Sequence, residues 1–563
     1  MCGFIGRISK MSAPSGDLRR GLPWISRRGP DSQRVWTSSD DRVSILFCRL
    51  AIVDRDPRAH QPLTKADAGV TVGLAGEIYN HRELRGLFGD YPFETDSDTE
   101  VVLAAYVTRG AEGLNLLKGM YAFVIVDQRS KKIFLVRDAV GKKPLFIARW
   151  GDSVFFGSSL LPLAAVQGPD VEPDVSQAPY FWKHTFIHPG CSALSGALPV
   201  APGQALELDW SGSLVREARC EPKPARLYNG ESLNGVVENV GSLVRAAVER
   251  RLVDNPTPVA LLSGGVDSTL VTSIARDLCA RDPSLPPVQS LTLGSLIPFT
   301  HDERFARHAA RRIGTPLEIL KPHFGTLADS ILHALDLQDE PLGMPSYFLL
   351  ERLTSAAANY SRILLSGEGG DEFFLGYGRA ADWTGRGGPR VDPASCVPCG
   401  PNLPAWMSAW ARETVTNTLV GHMFAKADRA TAEQGVELRC PLLDWDVVSY
   451  ARSLPFEMLT HDGVSKALLK DQLKDWPARF LERPKAGFTY NLRWLWGMSG
   501  YAGLRENIDS RAVELFGSLV PGPLRRSTSR WKTMDIFRNF REAWRLLAWS
   551  CFCRRFDRAR SAT

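Results

Sequence analysis

Pro258-Val-Ala-Leu-Leu-Ser-Gly-Gly-Val-Asp-Ser-Thr269 decides the architecture of the larger part of this chain. The apolar run ending at Leu262 reads as a short buried strand, the two glycines as a turn, and the sequence from Val266 as the start of a helix. Such a unit aims helix N–H groups and unobstructed backbone at whatever sits beyond the strand's carboxyl end, which suits anionic oxygens. Ser263, Gly264 and Gly265 permit that approach, Ser268 adds a hydroxyl donor, and Asp267 is suited to holding Mg2+. The Walker pattern GxxxxGK(S/T) does not occur at this site.

Outward from this loop the same grammar recurs. Val288–Gly294 and Arg362–Leu365 repeat the short apolar strand with helical sequence around them, and Glu231–Leu252 has the pattern of a long amphipathic helix. Residues 231–563 are therefore expected to form an α/β domain on a parallel sheet, with ligands at the strands' carboxyl ends. Residues 1–165 read differently. Val43–Leu50, Val70–Leu74, Tyr121–Asp127 and Lys132–Arg137 carry the β-branched and aromatic content of strands, and Asp98–Arg109 reads as a helix closed near Gly110. The Pro- and Gly-rich stretch 166–230 suits a connecting segment with a few short strands.

At 563 residues the chain exceeds a single ordinary core. With 44% hydrophobic and 23% charged residues it is ordinary globular sequence, and a net charge of +6 falls short of a nucleic-acid footprint. No run approaches about eighteen consecutive apolar residues, so no membrane span is expected. The N-terminus lacks the basic region and long apolar core of a signal peptide, and the 10 cysteines are scattered, which fits reduced thiols in the cytoplasm. Cys396 and Cys399 form a lone CxxC, read as ordinary loop thiols and not as a metal site.

Cys2 is the first candidate nucleophile. Removal of the initiator Met would give it a free α-amine, whose reference pKa of about 7.7–8.0 lets it serve as the thiol's base near neutral pH. Arg28-Gly-Pro-Asp31, Arg49-Leu-Ala-Ile-Val-Asp54, Gly76-Glu-Ile-Tyr-Asn80, Ser97-Asp98-Thr-Glu100, and Arg137-Asp138 with Gly141 and Pro144-Leu145 follow in order. With these the chain resembles the class II glutamine amidotransferases of N-terminal-nucleophile type, which implies an α+β αββα sandwich. The resemblance implies that Arg49 holds the glutamine α-carboxylate and that Glu77 and Asp98 hold its α-amine, with Ile52, Val53 and Gly76 lining the pocket. One departure stands out: Ala75 occupies the place where the family has an Asn donating to the oxyanion. Loss of one such donor costs on the order of 10²–10³-fold in rate, so slow hydrolysis, a substitute donor or lost activity all remain open.

Ser263-Gly-Gly-x-Asp-Ser268 resembles the PP-loop of enzymes that split ATP into AMP and pyrophosphate. Leu365-Ser-Gly-Glu-Gly-Gly-Asp-Glu372 with Phe373, Phe374, Gly376 and Tyr377 looks like asparagine synthetases. So do Asp339-Glu-Pro341, Gly435-Val-Glu-Leu-Arg439 with Pro441 and Leu443-Asp444, and Arg483-Pro-Lys-Ala-Gly-Phe488. The resemblance implies a glutamine-hydrolysing synthetase using ATP and Mg2+. Leu262, Leu293, Ser366 and Gly367 would lie near the nucleotide, and Asp267 and Asp371 would hold the metal. Lys485 would stabilise charge during adenylation, and Glu368 would accept a proton as ammonia attacks. Aspartate is the favoured acceptor. The rivals are another carboxylate (a sugar uronate, a peptide or a natural-product precursor), an intramolecular amide-closing enzyme like β-lactam synthetases or lasso-peptide cyclases, and a non-catalytic scaffold. A homodimer is implied only by analogy. The Arg- and Trp-containing tail, Arg525–Arg560, reads as a helix packed on the core with a basic outer face, not as a nucleic-acid or membrane binder.

Overall fold

Strand alternation organises the first part of the chain. A computed structural model describes residues 1–10, 15–253, 258–294, 301–321, 327–376, 413–483, 501–525, 528 and 532–561. Its first twelve strands are β1 (Gly3–Ser9), β2 (Ser32–Thr37), β3 (Val43–Arg49), β4 (Leu63–Lys65), β5 (Val70–Ile78), β6 (Gly119–Asp127), β7 (Lys132–Arg137), β8 (Phe146–Trp150), β9 (Ser153–Gly157), β10 (Ala197–Pro199), β11 (Gln204–Asp209) and β12 (Leu214–Arg219). They form two antiparallel six-stranded sheets, ordered β10-β8-β9-β1-β3-β2 and β12-β11-β7-β6-β5-β4. Along β6, Ala122, Val124 and Val126 join Phe4, Ile45 and Phe47 of the facing sheet. The alternate residues Tyr121, Phe123 and Ile125 pack with Val101, Ala104 and Ala105 of the helix Asp98–Arg109. The outer face of the other sheet, with Leu46, Phe146 and Ala148, packs with Leu161, Leu163 and Val166 of the helix Leu161–Gln167. The period of two thus builds two facing sheets with helices outside.

The stretch 166–230 is more than a connector. β10 extends the first sheet beside β8, and β11 and β12 extend the second beside β7. The first fold therefore reaches Arg219, beyond the expected boundary at 165. The reason is that Ala205, Leu206 and Leu208 complete the cores on either face of that sheet.

The second part is a parallel sheet of β13 (Val259–Leu261), β14 (Gln289–Leu293), β15 (Leu317–Leu320), β16 (Ile363–Leu365) and β17 (Glu437–Arg439), ordered β15-β14-β13-β16-β17. β13 is central, with later strands added on both sides, so its carboxyl end is where the strand order diverges and where ligands bind in such sheets. The helix Leu233–Leu252 is capped by Ser232, whose hydroxyl accepts from the Gly235 N–H. The terminal helix Phe540–Arg560 buries Phe540, Trp544, Leu547, Trp549, Phe552 and Phe556, leaving Arg541 and Arg558 exposed. Among the described residues no helix is long and apolar enough to cross a membrane.

The two parts are joined by paired charges. Asp339 caps the helix Leu161–Gln167 from the other side of the interface, accepting from the N–H groups of Leu160 at 2.5 Å and Leu161 at 2.8 Å and from the Ser159 hydroxyl at 2.9 Å. Arg28 donates to both oxygens of Asp428, at 2.8 and 3.2 Å, with both side chains buried. Burial alone would raise the Asp428 carboxyl, but the Arg28 guanidinium outweighs it and holds the group below the usual carboxylate range. Lys118 reaches Asp446 at 2.9 Å, and Arg362 reaches Asp31 at 2.5 Å. Arg28→Met leaves Asp428 buried without its cation and is expected to lower stability by about 3–5 kcal/mol, measured by denaturant unfolding. Arg28→Met combined with Asp428→Leu is expected to recover most of that loss.

Candidate active sites

Cys2 lies just ahead of β1, and the pairing of Gly3 with Cys48 carries it alongside Arg49 and Leu50. The Leu50 N–H donates to its Sγ at 3.3 Å. Burial pushes the thiol up, away from thiolate. Burial likewise lowers the α-amine of Met1, the residue ahead of it, to about 5.

Arg49 is buried at the end of β3, and the chain after it folds back over its guanidinium. Its Nη2 donates to the carbonyls of Val53 at 3.3 Å and Asp54 at 2.6 Å, which brings Ile52 and Val53 to the same place. Asp98 opens its helix behind the Ser97 cap and accepts from the Ile78 N–H at 3.0 Å, while Arg49 acts electrostatically on both Asp98 and Cys2. Gly76 sits at φ +136°, where a Cβ would stand 2.0 Å from the Met120 carbonyl oxygen, so no other residue fits there. Alternation on β5 puts Ala75 and Glu77 on the face opposite Leu74 and Ile78. Ala75 joins the apolar cluster that includes Cys2.

Glu77 also meets the second part of the chain: its side chain stands 2.5 Å from the Arg439 guanidinium of β17, across the interface, with Glu437 nearby. Burial drives Glu77 well above the carboxylate range, whereas in Glu437 the opposing cations Arg439 and Lys143 overcome burial and bring it down to about 2. Of the two carboxylates expected to hold a glutamine amine, Asp98 lies beside Arg49 and Glu77 lies beside Arg439.

The second site stands at the carboxyl ends of β13 and β16. Ser263 and Ser268 close the loop on itself with hydroxyls 3.1 Å apart. Gly264, at φ +70°, passes so near the helix His301–Ile313 that a Cβ would lie 2.4 Å from the Phe305 backbone. A Cβ on Gly367 would stand 2.6 Å from the Ser268 nitrogen, and one on Gly370 2.5 Å from the Asp267 carboxylate. The glycines of 263–268 and 366–371 therefore let the two loops interlock. Ser366 continues β16 by donating its N–H to the Arg439 carbonyl at 3.0 Å, and its hydroxyl accepts from the Glu368 N–H at 3.3 Å. Leu293 belongs to the large core and Leu262 to a smaller cluster with Ala309, Ala310 and Phe480. The two leucines thus pack with different neighbours.

Asp267 and Asp371 come together, as expected, but what joins them was not singled out in the sequence. Lys466 ion-pairs with both, at 2.6 Å to Asp371. It is held at φ +54°, with its N–H donating to the Phe374 carbonyl, so the ammonium is delivered by a fixed backbone. Burial alone would lower Lys466, but the Asp267 and Asp371 carboxylates outweigh it and hold the ammonium above the ordinary lysine range. No motif marks Lys466; it is one lysine ahead of a leucine-bearing helix, Ala467–Asp471. Lys485 lies outside the described residues, as do Tyr377, Cys396 and Cys399. Glu368 is reached from the first domain by Lys142 at 3.3 Å and from β17 by the Cys440 thiol at 3.5 Å.

Comparison with known proteins matches residues 1–217 to the glutamine amidotransferase domain and residues 239–413 and 401–552 to asparagine synthase. The chain belongs to the asparagine synthase family. It is similar to asparagine synthetase (glutamine-hydrolyzing) 1 of Bacillus subtilis, at 26% identity over 573 residues covering 88% of both chains. Asparagine synthetase (glutamine-hydrolyzing) of Mesocricetus auratus is 29% identical over 83% of this chain and 80% of its own. Asparagine synthetase (glutamine-hydrolyzing) 1 of Arabidopsis thaliana is 26% identical over 96% and 86%. Within this family member the interlocked loops leave no room for a single added methyl group. Gly367→Ala is expected to part them and weaken ATP binding by about 10-fold or more, checked by nucleotide titration alongside a thermal melt.

Proposed function

We propose that the chain makes L-asparagine from L-aspartate, ATP and glutamine, in two sites that share one interface. The observation that carries this reading is the Lys466 ammonium spanning Asp267 and Asp371 where the two glycine loops interlock. A phosphate-cradling loop, two carboxylates and a buried cation at adjoining strand ends are what activation of a carboxylate by ATP requires.

At the first site the amine at the processed head of the chain takes the Cys2 proton, and Sγ attacks the glutamine side-chain amide. Arg49 pairs with the substrate α-carboxylate and Asp98 with its α-ammonium, so opposite charges orient a zwitterion. The Gly76 N–H is left to face the oxyanion, since Ala75 offers no donor. The C–N bond of the tetrahedral adduct then breaks as the amine returns the proton to the leaving nitrogen, ammonia departs, and water adds to the thioester carbon to release glutamate and restore the thiol.

At the second site the aspartate side-chain carboxylate attacks the α-phosphorus of ATP, and pyrophosphate leaves. The backbone of 263–268 and the Ser268 hydroxyl hold phosphate oxygens, and Lys466 offsets the charge that builds as the bond forms. Asp267 and Asp371 present hard oxygen donors side by side, as Mg2+ prefers, and would hold it; when bound it neutralises polyphosphate charge. Ammonia then attacks the acyl carbon: the C–N bond forms, the proton passes to Glu368, and AMP leaves with the electron pair of the broken C–O bond. Enclosure between the domains keeps water from the adenylate.

Cys2→Ala is expected to abolish glutamine-supported asparagine formation while ammonium-supported formation stays within about two-fold of the parent. Equal loss with both nitrogen sources would overturn the assignment. Lys466→Met is expected to lower AMP formation by about 10³-fold with either source, leaving glutamate release from glutamine intact. Both are read by quantifying AMP, glutamate and asparagine in one reaction.

A further inference from the structure

Lys142 is a lysine of the glutaminase half whose side chain ends in the synthetase half. The loop that carries it is fixed by the pair that precedes it. The Asp138 carboxylate accepts from the N–H groups of Val140 at 3.2 Å, Lys142 at 2.9 Å and Lys143 at 2.9 Å. The Arg137 guanidinium donates to the carbonyls of Lys143 at 2.7 Å, Gly141 at 2.9 Å and Val200 at 2.7 Å. With every turn of this loop tied down, the Lys142 backbone has little freedom, and Gly141 at φ +72° completes the bend.

From this base the side chain crosses the interface. Lys142 is buried, its Nζ lies 3.3 Å from Glu368 Oε2, and it stands 4.9 Å from the centre of the Phe424 ring. It also lines the cavity of about 70 Å3 between the domains, together with Arg28, Ser159, Asp339 and Asp428. Burial alone would lower the amine, but the Cys440 and Glu368 side chains beside it outweigh burial and hold it above the ordinary lysine range. The Cys440 thiol donates to the same Glu368 oxygen at 3.5 Å, so among the described residues both side-chain contacts fall on Oε2.

We propose that Lys142 is a positioning residue for nitrogen transfer: by holding Oε2 of Glu368 it presents Oε1 to the ammonia that attacks the acyl-adenylate. This builds on the function proposed above. An ion pair serving only to dock the domains would be the plainer role. Docking is already secured at Asp339, Asp428 and Asp446, whereas Lys142 spends its charge on the one carboxylate assigned to accept the proton. A buried lysine does nothing for the phosphates that it does not reach, so its removal separates the two halves of the synthetase reaction.

The test uses the full chain with aspartate, ATP and Mg2+, supplied with either glutamine or ammonium chloride. In Lys142→Met, pyrophosphate exchange into ATP is expected within about two-fold of the parent, because adenylation does not involve Glu368. Asparagine formed per AMP is expected to fall by about 10-fold with both nitrogen sources, the remaining adenylate being lost to water. Lys142→Arg, which keeps the charge and a donor, is expected to restore at least half of that yield. An unchanged yield per AMP in Lys142→Met overturns the assignment. So does a parallel fall in exchange and yield, which marks a structural defect, or an Arg variant no better than Met. Absence of aspartate-dependent exchange in the parent protein refutes the underlying function instead, and is read before either variant.

Discussion

A guanidinium with no contact with solvent holds the two halves of this protein in register. Arg439 ends β17 and is fully buried, where an unpaired charge would cost several kcal/mol. It is paired within its own strand to Glu437 and across the interface to Glu77, and it donates to the carbonyls of Arg251 and Val253. Its own carbonyl receives the Ser366 N–H and so fixes the start of the loop that carries Glu368 and Asp371. The thiol of the next residue, Cys440, touches Glu368. One side chain therefore ties the strand beside Cys2 to the loop on which the amide is proposed to form. Glycine turns, capped helices and interdomain ion pairs all assume that this strand is in place.

The two sites solve opposite electrostatic problems. Around Cys2, burial raises the thiol and lowers the Met1 amine beside it, so both groups are held toward their neutral forms. Around Lys466, burial is overcome by two carboxylates, and charge is kept where a polyphosphate is proposed to bind. The structure stores these environments on either side of a single interface. Lys142 is the residue that reaches from the first into the second.

Much of this was legible from residue order. Cys2, Arg49 and Asp98 form one expected set, and the structure gathers them because β1 pairs with β3 and Asp98 opens its helix against the Ile78 N–H at the end of β5. Asp267 and Asp371 come together at Lys466 because each follows a glycine turn after a short apolar strand. β17 was not read as a strand: Glu437 and Arg439 look like surface residues in one dimension, and only their mutual neutralisation lets them lie buried in a sheet. For the same reason the pairing of Glu77 with Arg439 has no mark in the sequence around Glu77. The Pro- and Gly-rich stretch 166–230 gives a few short strands in sequence but not their place in the two sheets, since the edge strands β10 and β12 need little periodic apolar sequence of their own. Lys466 carries no local signal at all, because its importance comes from two aspartates about 200 and 95 positions away in sequence.

The capping of the helix Leu161–Gln167 by Asp339 has a consequence for anyone wishing to recombine these halves. The amides at the start of that helix find their acceptor in the neighbouring domain, so neither half is chemically finished when taken alone. A chimera that borrowed the amidotransferase portion would inherit bare helix donors unless the recipient supplied a carboxylate at the matching spot. The boundary between the halves is thus a seam sewn from both sides, and a graft must carry its stitches with it.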